Sequence, residues 1–163
     1  MTHLSSSPEI PADGTAVTTR QTFSRETAVS IYIQADQAVV WTLLTDAAAF
    51  PRWNSTVVSL AGEIKVGETL HLKSTLDENR TFKLKVKEVE PKSRMVWGDR
   101  QGSRVYVLSP GQEAGVTFTM TEKIGGLFFP LYAKQIPPFD QTFTQFAADL
   151  KREAEIIQKS KKE

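Results

Sequence analysis

The chain has 163 residues, with 20 Lys and Arg against 19 Asp and Glu, and a formal net charge of +1. This balance argues against nucleic acid or an acidic membrane as the main partner, because surfaces that bind either of them carry a positive excess. The absence of cysteine excludes disulfides, thiolate metal sites and a cysteine nucleophile. No apolar run reaches the ~18 residues of a membrane span and no export signal is visible, so a cytoplasmic protein without a membrane span is expected.

The N-terminal segment differs in composition from the rest of the chain. Residues 1–20 are rich in Ser, Thr, Pro, Ala and Gly and show no hydrophobic period. Such a segment cannot bury enough apolar surface to offset the entropy of ordering it, so a disordered tail is expected. Residues 21–160 are expected to form one globular domain, a length sufficient for a sizeable core.

The first structured part of the chain predicts a strand followed by two short helices. Residues 21–33 alternate apolar and polar side chains, which indicates a long half-buried strand. Asp36 is a suitable N-cap for a helix over 37–45. Asp46 is expected to begin a second, shorter helix that Pro51 ends.

Six further strands are indicated by apolar alternation between turn signals. They are expected at 56–61, 68–76, 81–88, 94–97, 103–108 and 116–121. A turn is expected at Asp77-Glu78-Asn79. The strand over 81–88 alternates apolar side chains with lysines, which gives one buried and one solvated face, as in an antiparallel sheet.

The C-terminal segment predicts a long amphipathic helix from Pro138 to about Lys159. Its apolar residues recur at steps of three and four, a spacing that places them on one stripe. They are Phe139, Phe143, Phe146, Ala147, Leu150, Ala154 and Ile157. The sequence therefore predicts an α+β fold: a seven-stranded curled antiparallel sheet wrapped around a long C-terminal helix, with two short helices between strands 1 and 2.

Three signatures in this order resemble a known superfamily. They are the strand-to-helix entry at 31–41 (IYIQADQAVVW), the segment that runs from Thr45-Asp46 to Phe50-Pro51-Arg52-Trp53-Asn54, and the end that runs from Gly125-Gly126-Leu127 to Phe146-Ala147-Ala148-Asp149-Leu150-Lys151. Over about residues 22–158 the chain resembles the START-like, or SRPBCC, superfamily of helix-grip proteins, most closely its polyketide cyclase/dehydrase and lipid transport group. The superfamily holds lipid carriers, cyclases, a chaperone activator and ring-hydroxylating oxygenase subunits, so the resemblance implies a fold and not one function.

A helix held by a curled sheet can leave a cavity between them, and we expect this cavity to bind a hydrophobic or aromatic small molecule or a lipid. The chain would act as a carrier or sensor, as a monomer or homodimer. The ligand-contacting residues are expected among the aromatic side chains and one neighbouring amide, since aromatic residues commonly line pockets. They are Phe50, Trp53, Asn54, Trp97, Phe118, Phe128, Phe129, Tyr132, Phe139 and Phe143. The same side chains also fit a filled core, and Asn54 also fits a turn cap.

Two alternatives stay open at this stage. An enzyme of the polyketide cyclase/dehydratase type would use Glu122, with Tyr106 or Arg104, for proton transfer, because alternation places Glu122 on the apolar face of its strand. Glu122 equally fits a strand end that reaches solvent. A protein-interaction module would instead use the exposed face of the sheet.

Neither a metal site nor a cofactor is expected from the histidine positions. His3 lies in the predicted tail, and His71 stands between Leu70 and Leu72 on a strand. If those leucines face the core, His71 points to solvent. No glycine-rich phosphate loop and no nucleophile elbow occurs in the sequence.

Overall fold

The structure, a computed structural model, describes residues 10–111 and 113–161, so His3 lies outside the described residues. Eight antiparallel strands form one sheet: β1 (Val17–Arg20), β2 (Ser24–Ile33), β3 (Val57–Ala61), β4 (Thr69–Ser74), β5 (Asp77–Glu90), β6 (Arg94–Gly98), β7 (Gly102–Pro110) and β8 (Val116–Gly125). Their order in the sheet is β1-β2-β8-β7-β6-β5-β4-β3. The chain therefore leaves the sheet once after β2, continues from the opposite edge at β3, and returns strand by strand to β2.

Four α-helices complete the fold: α1 (Gln37–Thr45), α2 (Phe50–Trp53), α3 (Phe129–Tyr132) and α4 (Asp140–Lys161). Single 3-10 turns, Ala47–Ala49 and Ala133–Gln135, precede α2 and follow α3. The predicted α+β class, with a curled antiparallel sheet and a long C-terminal helix, is confirmed. Among the described helices, none combines the length and the apolar character that crossing a bilayer requires.

The predicted number of seven strands is wrong, because β1 lies in the segment that was assigned to the tail. Val17–Arg20 pairs antiparallel with residues 25–28 of β2. The contacts of β1 are polar: the Thr18 and Thr27 hydroxyls are hydrogen-bonded at 2.9 Å, and Thr18 also donates to Asp140. A four-residue edge strand held by such long-range polar contacts leaves no hydrophobic period in the sequence.

Two predicted turn positions are also wrong. The chain turns at Thr75 and Leu76, and the expected turn residues Asp77-Glu78-Asn79 begin β5 instead. A two-residue loop between Ser74 and Asp77 closes this hairpin, and such a loop needs no long run of turn residues. Pro51 lies in the first turn of α2 rather than ending a helix, because a first-turn N–H has no intrahelical partner to lose.

The long helix α4 begins at Asp140, two residues later than predicted. The Phe139 carbonyl accepts the first intrahelical hydrogen bond from the Phe143 N–H at 2.8 Å, so Phe139 is the N-cap. The apolar stripe is otherwise as predicted: Phe143, Phe146, Ala147, Leu150 and Ala154 are buried. This stripe lies across the inner face of the sheet, where β2 makes most of the contact.

The core is fullest in the middle of α4, around the ring of Phe146. Four aromatic rings surround it with centroids 6.0–6.1 Å away: Phe50, Trp53, Tyr106 and Phe118. Such tilted, edge and stacked contacts are favourable geometries for aromatic rings. A larger hollow lies outside this cluster, beside Phe139 just before α4 begins.

Candidate functional site

A pocket of about 180 Å³ lies between the inner face of the sheet and the segment that leads into α4. Its apolar walls include Phe82, Leu84, Trp97, Ile124, Ile136 and Phe139. Its polar lining includes Arg80, Asp99, Gln101, Arg104, Glu122 and Gln135. Strands β4 to β8 contribute one side and residues 135–139 the other. The pocket therefore lies beside the segment that precedes α4, whereas the cavity was expected between the C-terminal helix itself and the sheet.

The strand register brings an aromatic and two charged side chains into one row on the inner face. Trp97 on β6 is paired with Arg104 on β7, which is paired with Glu122 on β8. Residues paired across antiparallel strands project from the same face of the sheet. Alternation on β8 therefore predicted the direction of Glu122 correctly, since Phe118 and Met120 on the same face are fully buried.

The charged residues of this row form an ion pair within the pocket wall. Arg104 Nη2 donates to Glu122 Oε2 at 3.0 Å, and the two side chains are only 16% and 18% exposed. The Arg104 guanidinium also lies 4.9 Å from the centroid of the Phe143 ring, within cation–π distance. Burial acts to lower the pKa of Arg104, but the Glu122 carboxylate outweighs it and raises that pKa above its ordinary value. The pocket thus carries a fixed cation beside a carboxylate.

Tyr106, the third candidate for proton transfer, lies behind this row rather than in the pocket. It is paired with Met120 on the inner face, and its ring stacks on Trp97 with centroids 5.3 Å apart. The hydroxyl is buried and makes no hydrogen bond to a described residue. Burial raises the pKa of Tyr106 to about 12, although the Arg104 cation acts in the opposite direction. Tyr106 is therefore a neutral phenol near pH 7 and not a base.

The wall opposite the sheet is held by a buried arginine. Arg25 on β2 is 3% exposed, and its guanidinium donates to the carbonyls of Ile136 at 3.2 Å and Pro137 at 2.9 Å. The same guanidinium lies 4.7 Å from the centroid of the Phe139 ring. A segment with two prolines and no regular structure thereby gains a fixed position over the pocket.

The predicted ligand-contacting residues divide into two groups. Trp97 and Phe139 line the pocket. Phe143 lines a neighbouring cavity of about 10 Å³ that also reaches Arg104. The candidates from the sequence that lie at the pocket or beside it are therefore these three side chains and the Arg104–Glu122 pair.

The other predicted residues lie away from the pocket. Phe50, Trp53 and Phe118 are buried in the ring cluster around Phe146. The Asn54 side-chain oxygen accepts from the N–H of Thr56 at 3.1 Å and from its hydroxyl at 2.6 Å, which is the turn-cap role. Packing around Phe146 therefore takes the three aromatic residues into the core, and contact with a ligand in this pocket is not expected for them or for Asn54.

The aromatic residues after β8 are also separate from the pocket. Phe129 is buried and makes an edge contact with the half-buried Tyr132, their ring centroids 5.6 Å apart. Phe128 is 66% exposed. The residues that were predicted to form the mouth of the cavity therefore separate: Phe129 lies in the core and Phe128 in solvent.

Several lining residues were missed by the sequence reasoning. Phe82 and Leu84 alternate with lysines on β5, which marked them as inward-facing but not as pocket walls. Ile136 and Pro137 lie in a segment without periodicity. Arg80 stands at the pocket and its guanidinium lies 4.5 Å from the Phe82 ring centroid. No pattern of neighbouring residues in the sequence indicates which side chains from separate strands and loops will line a pocket together.

The opposite face of the sheet and the histidine carry no part of this site. Lys83, Lys85 and Lys87 are exposed, so β5 presents no apolar patch on its outer face. His71 is exposed between two buried leucines, as alternation predicts. Among residues 10–111 and 113–161, no group of three side chains suited to metal binding forms.

A comparison with models of protein families shows which family the chain belongs to. The model of the family described as "Activator of Hsp90 ATPase homolog 1-like protein" matches residues 34–154. The chain belongs to this family. The match confirms the START-like, or SRPBCC, superfamily. The description of the matched family names an activator of the Hsp90 ATPase, whereas the sequence signatures resemble most the polyketide cyclase/dehydrase group.

Solved structures that are similar to this chain share its fold at low sequence identity. A conserved protein of unknown function from Enterococcus faecalis has a TM-score of 0.64 at 12% identity, over 86% of this chain and 77% of that one. A START superfamily protein from Mycobacterium smegmatis has a TM-score of 0.60 at 13% identity, over 81% and 98%. A comparison with curated protein sequences found no match.

A third similar structure comes from a biosynthetic locus. DynU16, a protein in the dynemicin biosynthetic locus, has a TM-score of 0.63 at 18% identity. The similarity covers 82% of this chain and 48% of DynU16, so this chain spans about half the length of that protein. At such identities these similarities show the fold alone.

Proposed function

We propose that the chain binds a small hydrophobic or aromatic molecule in the pocket between the sheet and the start of α4, as a carrier or sensor. The observation that supports this proposal most directly is the hollow of about 180 Å³ walled by aromatic and aliphatic side chains. Removing ligand surface from water there contributes about 25 cal/mol per Å² of apolar area. The internal ion pair supplies orientation.

The size of the pocket favours a small ligand over a whole lipid. An apolar cavity of ~150 Å³ is large enough to hold benzene. At about 180 Å³ the pocket suits a molecule with one ring and a few substituents. A long acyl chain or a sterol would need the walls to move apart.

The arrangement of polar groups favours a ligand with one polar substituent. Trp97 and Phe139 provide aromatic wall for a ring, while Arg104 and Glu122 offer a donor and an acceptor close together. A hydroxyl or carbonyl group on the ring would find a partner at this pair, and the rest of the molecule would contact apolar walls.

This proposal is tested by heating the purified protein with a panel of compounds. The panel contains substituted single-ring aromatics, fatty acids, sterols and aromatic polyketides. A ligand that binds only the native state raises the unfolding temperature in proportion to the logarithm of its concentration. Single-ring compounds are expected to stabilise most, and failure of every compound at any concentration would remove the proposal.

An enzymatic reaction at the same pocket is the second candidate, because Glu122 lines the pocket with a partner that keeps it oriented. Glu122 would transfer a proton to or from a polyketide-like substrate, in a cyclase- or dehydratase-type step. Turnover that disappears in Glu122→Gln while ligand binding survives would favour the enzyme over the carrier. Unchanged turnover in this variant would exclude Glu122 as the acid or base.

A further inference from the structure

We propose that the segment after β8 docks onto the surface of an anionic phospholipid bilayer. Leu127, Phe128 and Leu131 are 76%, 66% and 80% exposed, and together with Phe23, which is 53% exposed, we call them the apolar patch. Phe23 belongs with the segment because its carbonyl accepts a hydrogen bond from the Gly126 N–H at 3.0 Å. The patch takes no part in the pocket or in the core.

The exposure of the patch follows from how the segment is anchored. Phe129 is buried and its ring contacts Tyr132, so one side of α3 is held by the core. The N–H of Phe129 donates to the Gly126 carbonyl at 3.1 Å, and that of Leu131 to the Phe128 carbonyl at 3.0 Å. Because this turn is fixed, the side chains of Leu127, Phe128 and Leu131 remain exposed to solvent.

Single exposed apolar side chains are ordinary on a soluble protein, but a cluster of large ones marks a contact surface. Three of the most exposed large apolar residues in the described part of the chain lie within five consecutive positions. None of the three belongs to the hydrophobic core or to the partly buried side chains that pack against it.

The charges near the patch favour an anionic bilayer as the partner. Residues 123–139 contain Lys123 and Lys134 and no acidic residue, in a chain where acids and bases are nearly balanced; Glu26 on β2 lies opposite Lys123 in the sheet register. Both lysines are exposed. An apolar tip of Leu and Phe between cationic side chains suits the boundary of headgroups and acyl chains, where lysine meets the anionic phosphates.

The position of the patch connects docking with the pocket. The segment continues directly into residues 135–139, which form one wall of the pocket. Docking would therefore bring this wall close to lipid, although attachment to the bilayer itself does not depend on the pocket having a ligand. Failure of one proposal leaves the other to be decided by its own measurement.

The test is co-sedimentation of the full chain with vesicles of phosphatidylcholine alone and of phosphatidylcholine mixed with phosphatidylglycerol. Binding to the mixed vesicles is expected, and it should weaken at high salt. The variants Leu127→Ser, Phe128→Ser and Leu131→Ser are each expected to lower vesicle affinity about tenfold. Val66→Ser and Ile156→Ser remove apolar residues that are 57% and 53% exposed elsewhere, and they should bind as the wild type does.

The charge requirement is tested separately with Lys123→Gln and Lys134→Gln. Each lysine near an anionic surface contributes enough that its loss should lower affinity about fivefold. Lys159→Gln, an exposed position near the end of α4, is the matched control. Equal effects of all three lysine variants would contradict a localised contact.

Two results would overturn the proposal. One is wild-type protein that binds neither kind of vesicle at low salt. The other is a concentration-dependent dimer, seen by light scattering, that Leu127→Ser and Leu131→Ser abolish while vesicle binding stays unchanged; the patch would then be an interface between two copies.

Discussion

At the scale of single residues, Tyr106 shows how the core sets the chemistry of the site. Its ring is a full member of the aromatic cluster, stacked on Trp97, while its hydroxyl is buried without a hydrogen bond to a described residue. A buried phenol without a partner is costly to ionise and offers little to the native state in its neutral form. This side chain is therefore better understood as packing than as an acid or base.

The raised pKa of Tyr106, about 12 against an ordinary 10.0, makes stability depend on alkaline pH. The unfolded chain releases the phenol proton near pH 10 and the folded chain only near pH 12. The contribution of Tyr106 to the stability of the folded chain is therefore complete below pH 10 and is lost as pH rises through about 12. The free energy of unfolding should fall by about 2–3 kcal/mol over this range. Denaturant unfolding of the wild type and Tyr106→Phe measures this difference.

At neutral pH, where the phenol is protonated in both states, the Tyr106→Phe variant should be nearly as stable as the wild type. The hydroxyl makes no hydrogen bond of normal geometry to a described residue, although the Arg104 cation acts on it, so its removal should change the free energy of unfolding by less than about 1 kcal/mol at pH 7. Above pH 10 the variant should lose less stability than the wild type. Parallel losses in both proteins would show that the hydroxyl is hydrated and not buried.

Asp149 is a second residue whose role follows from its contacts. It is 1% exposed on α4, and its carboxylate accepts from the Ser55 N–H at 2.8 Å, the Ser55 hydroxyl at 2.7 Å and Gln145 Nε2 at 2.8 Å. Asp149→Ala leaves these donors without their acceptor and should lower the free energy of unfolding by about 2–3 kcal/mol. Chemical denaturation measures the loss.

Glu153, one turn along the same helix, is the matched comparison. Its ion pair with Arg52 at 2.8 Å joins it to a side chain that is 61% exposed. Ion pairs that water screens contribute little, so Glu153→Ala should cost below about 1 kcal/mol. A cost for Glu153→Ala equal to that for Asp149→Ala would contradict the account of both residues.

At the scale of elements, the segment 133–139 is the least regular part of the pocket and depends on one side chain. Arg25 donates to two of its carbonyls and contacts the ring of Phe139. Arg25→Met keeps a long apolar side chain but removes both hydrogen bonds. Amide hydrogen exchange in peptides spanning 133–139 should become faster, because local opening now breaks fewer contacts.

Arg20→Met is the control for this experiment, since Arg20 is an exposed arginine on the neighbouring strand β1. It should leave exchange in 133–139 unchanged. If Arg25→Met also left it unchanged, the wall would be held by its apolar contacts and not by the guanidinium.

The elements with a strong period were predictable, and those without one were not. The stripe of α4 and the alternation on β8 each repeat a burial rule many times, so Phe143, Phe146 and Glu122 were placed on the correct faces. The edge strand β1 and the residues 135–139 rest on a few hydrogen bonds to partners distant in sequence. Such contacts become visible only in three dimensions, and most of the pocket lining therefore escaped prediction.

The aromatic residues illustrate the same limit. Composition alone does not distinguish Trp53, which fills the core beside Phe146, from Trp97, which lines the pocket. Both are bulky, apolar and nearly fully buried. Whether such a residue fills the core or lines the pocket depends on how closely the sheet packs against α4 at its position. That spacing is set by all the packed side chains together.

At the scale of the whole molecule, β1 closes one edge of the sheet and joins it to α4. The Ala16 N–H donates to the Thr144 hydroxyl at 3.0 Å, and Thr18 donates to Asp140. Deleting residues 1–20 would expose the edge of β2 and remove both links. We expect a lower unfolding temperature and concentration-dependent association, since an uncovered strand edge pairs with other chains.

Deleting residues 1–9 keeps every described contact and is the matched control for that truncation. Light scattering and thermal unfolding of the two truncated proteins give the comparison. If both behaved alike, β1 would not be the element that protects this edge.

The central claim is that the hollow between the sheet and the start of α4 holds a small molecule. The most direct measurement is calorimetric titration with the compound that stabilises the protein most, on the wild type and two variants of β5. Leu84→Trp fills the pocket from its wall, and Thr81→Trp places the same side chain at an exposed position of the same strand. The account predicts one-to-one binding to the wild type and to Thr81→Trp and no binding to Leu84→Trp, whereas equal binding to both variants would contradict it.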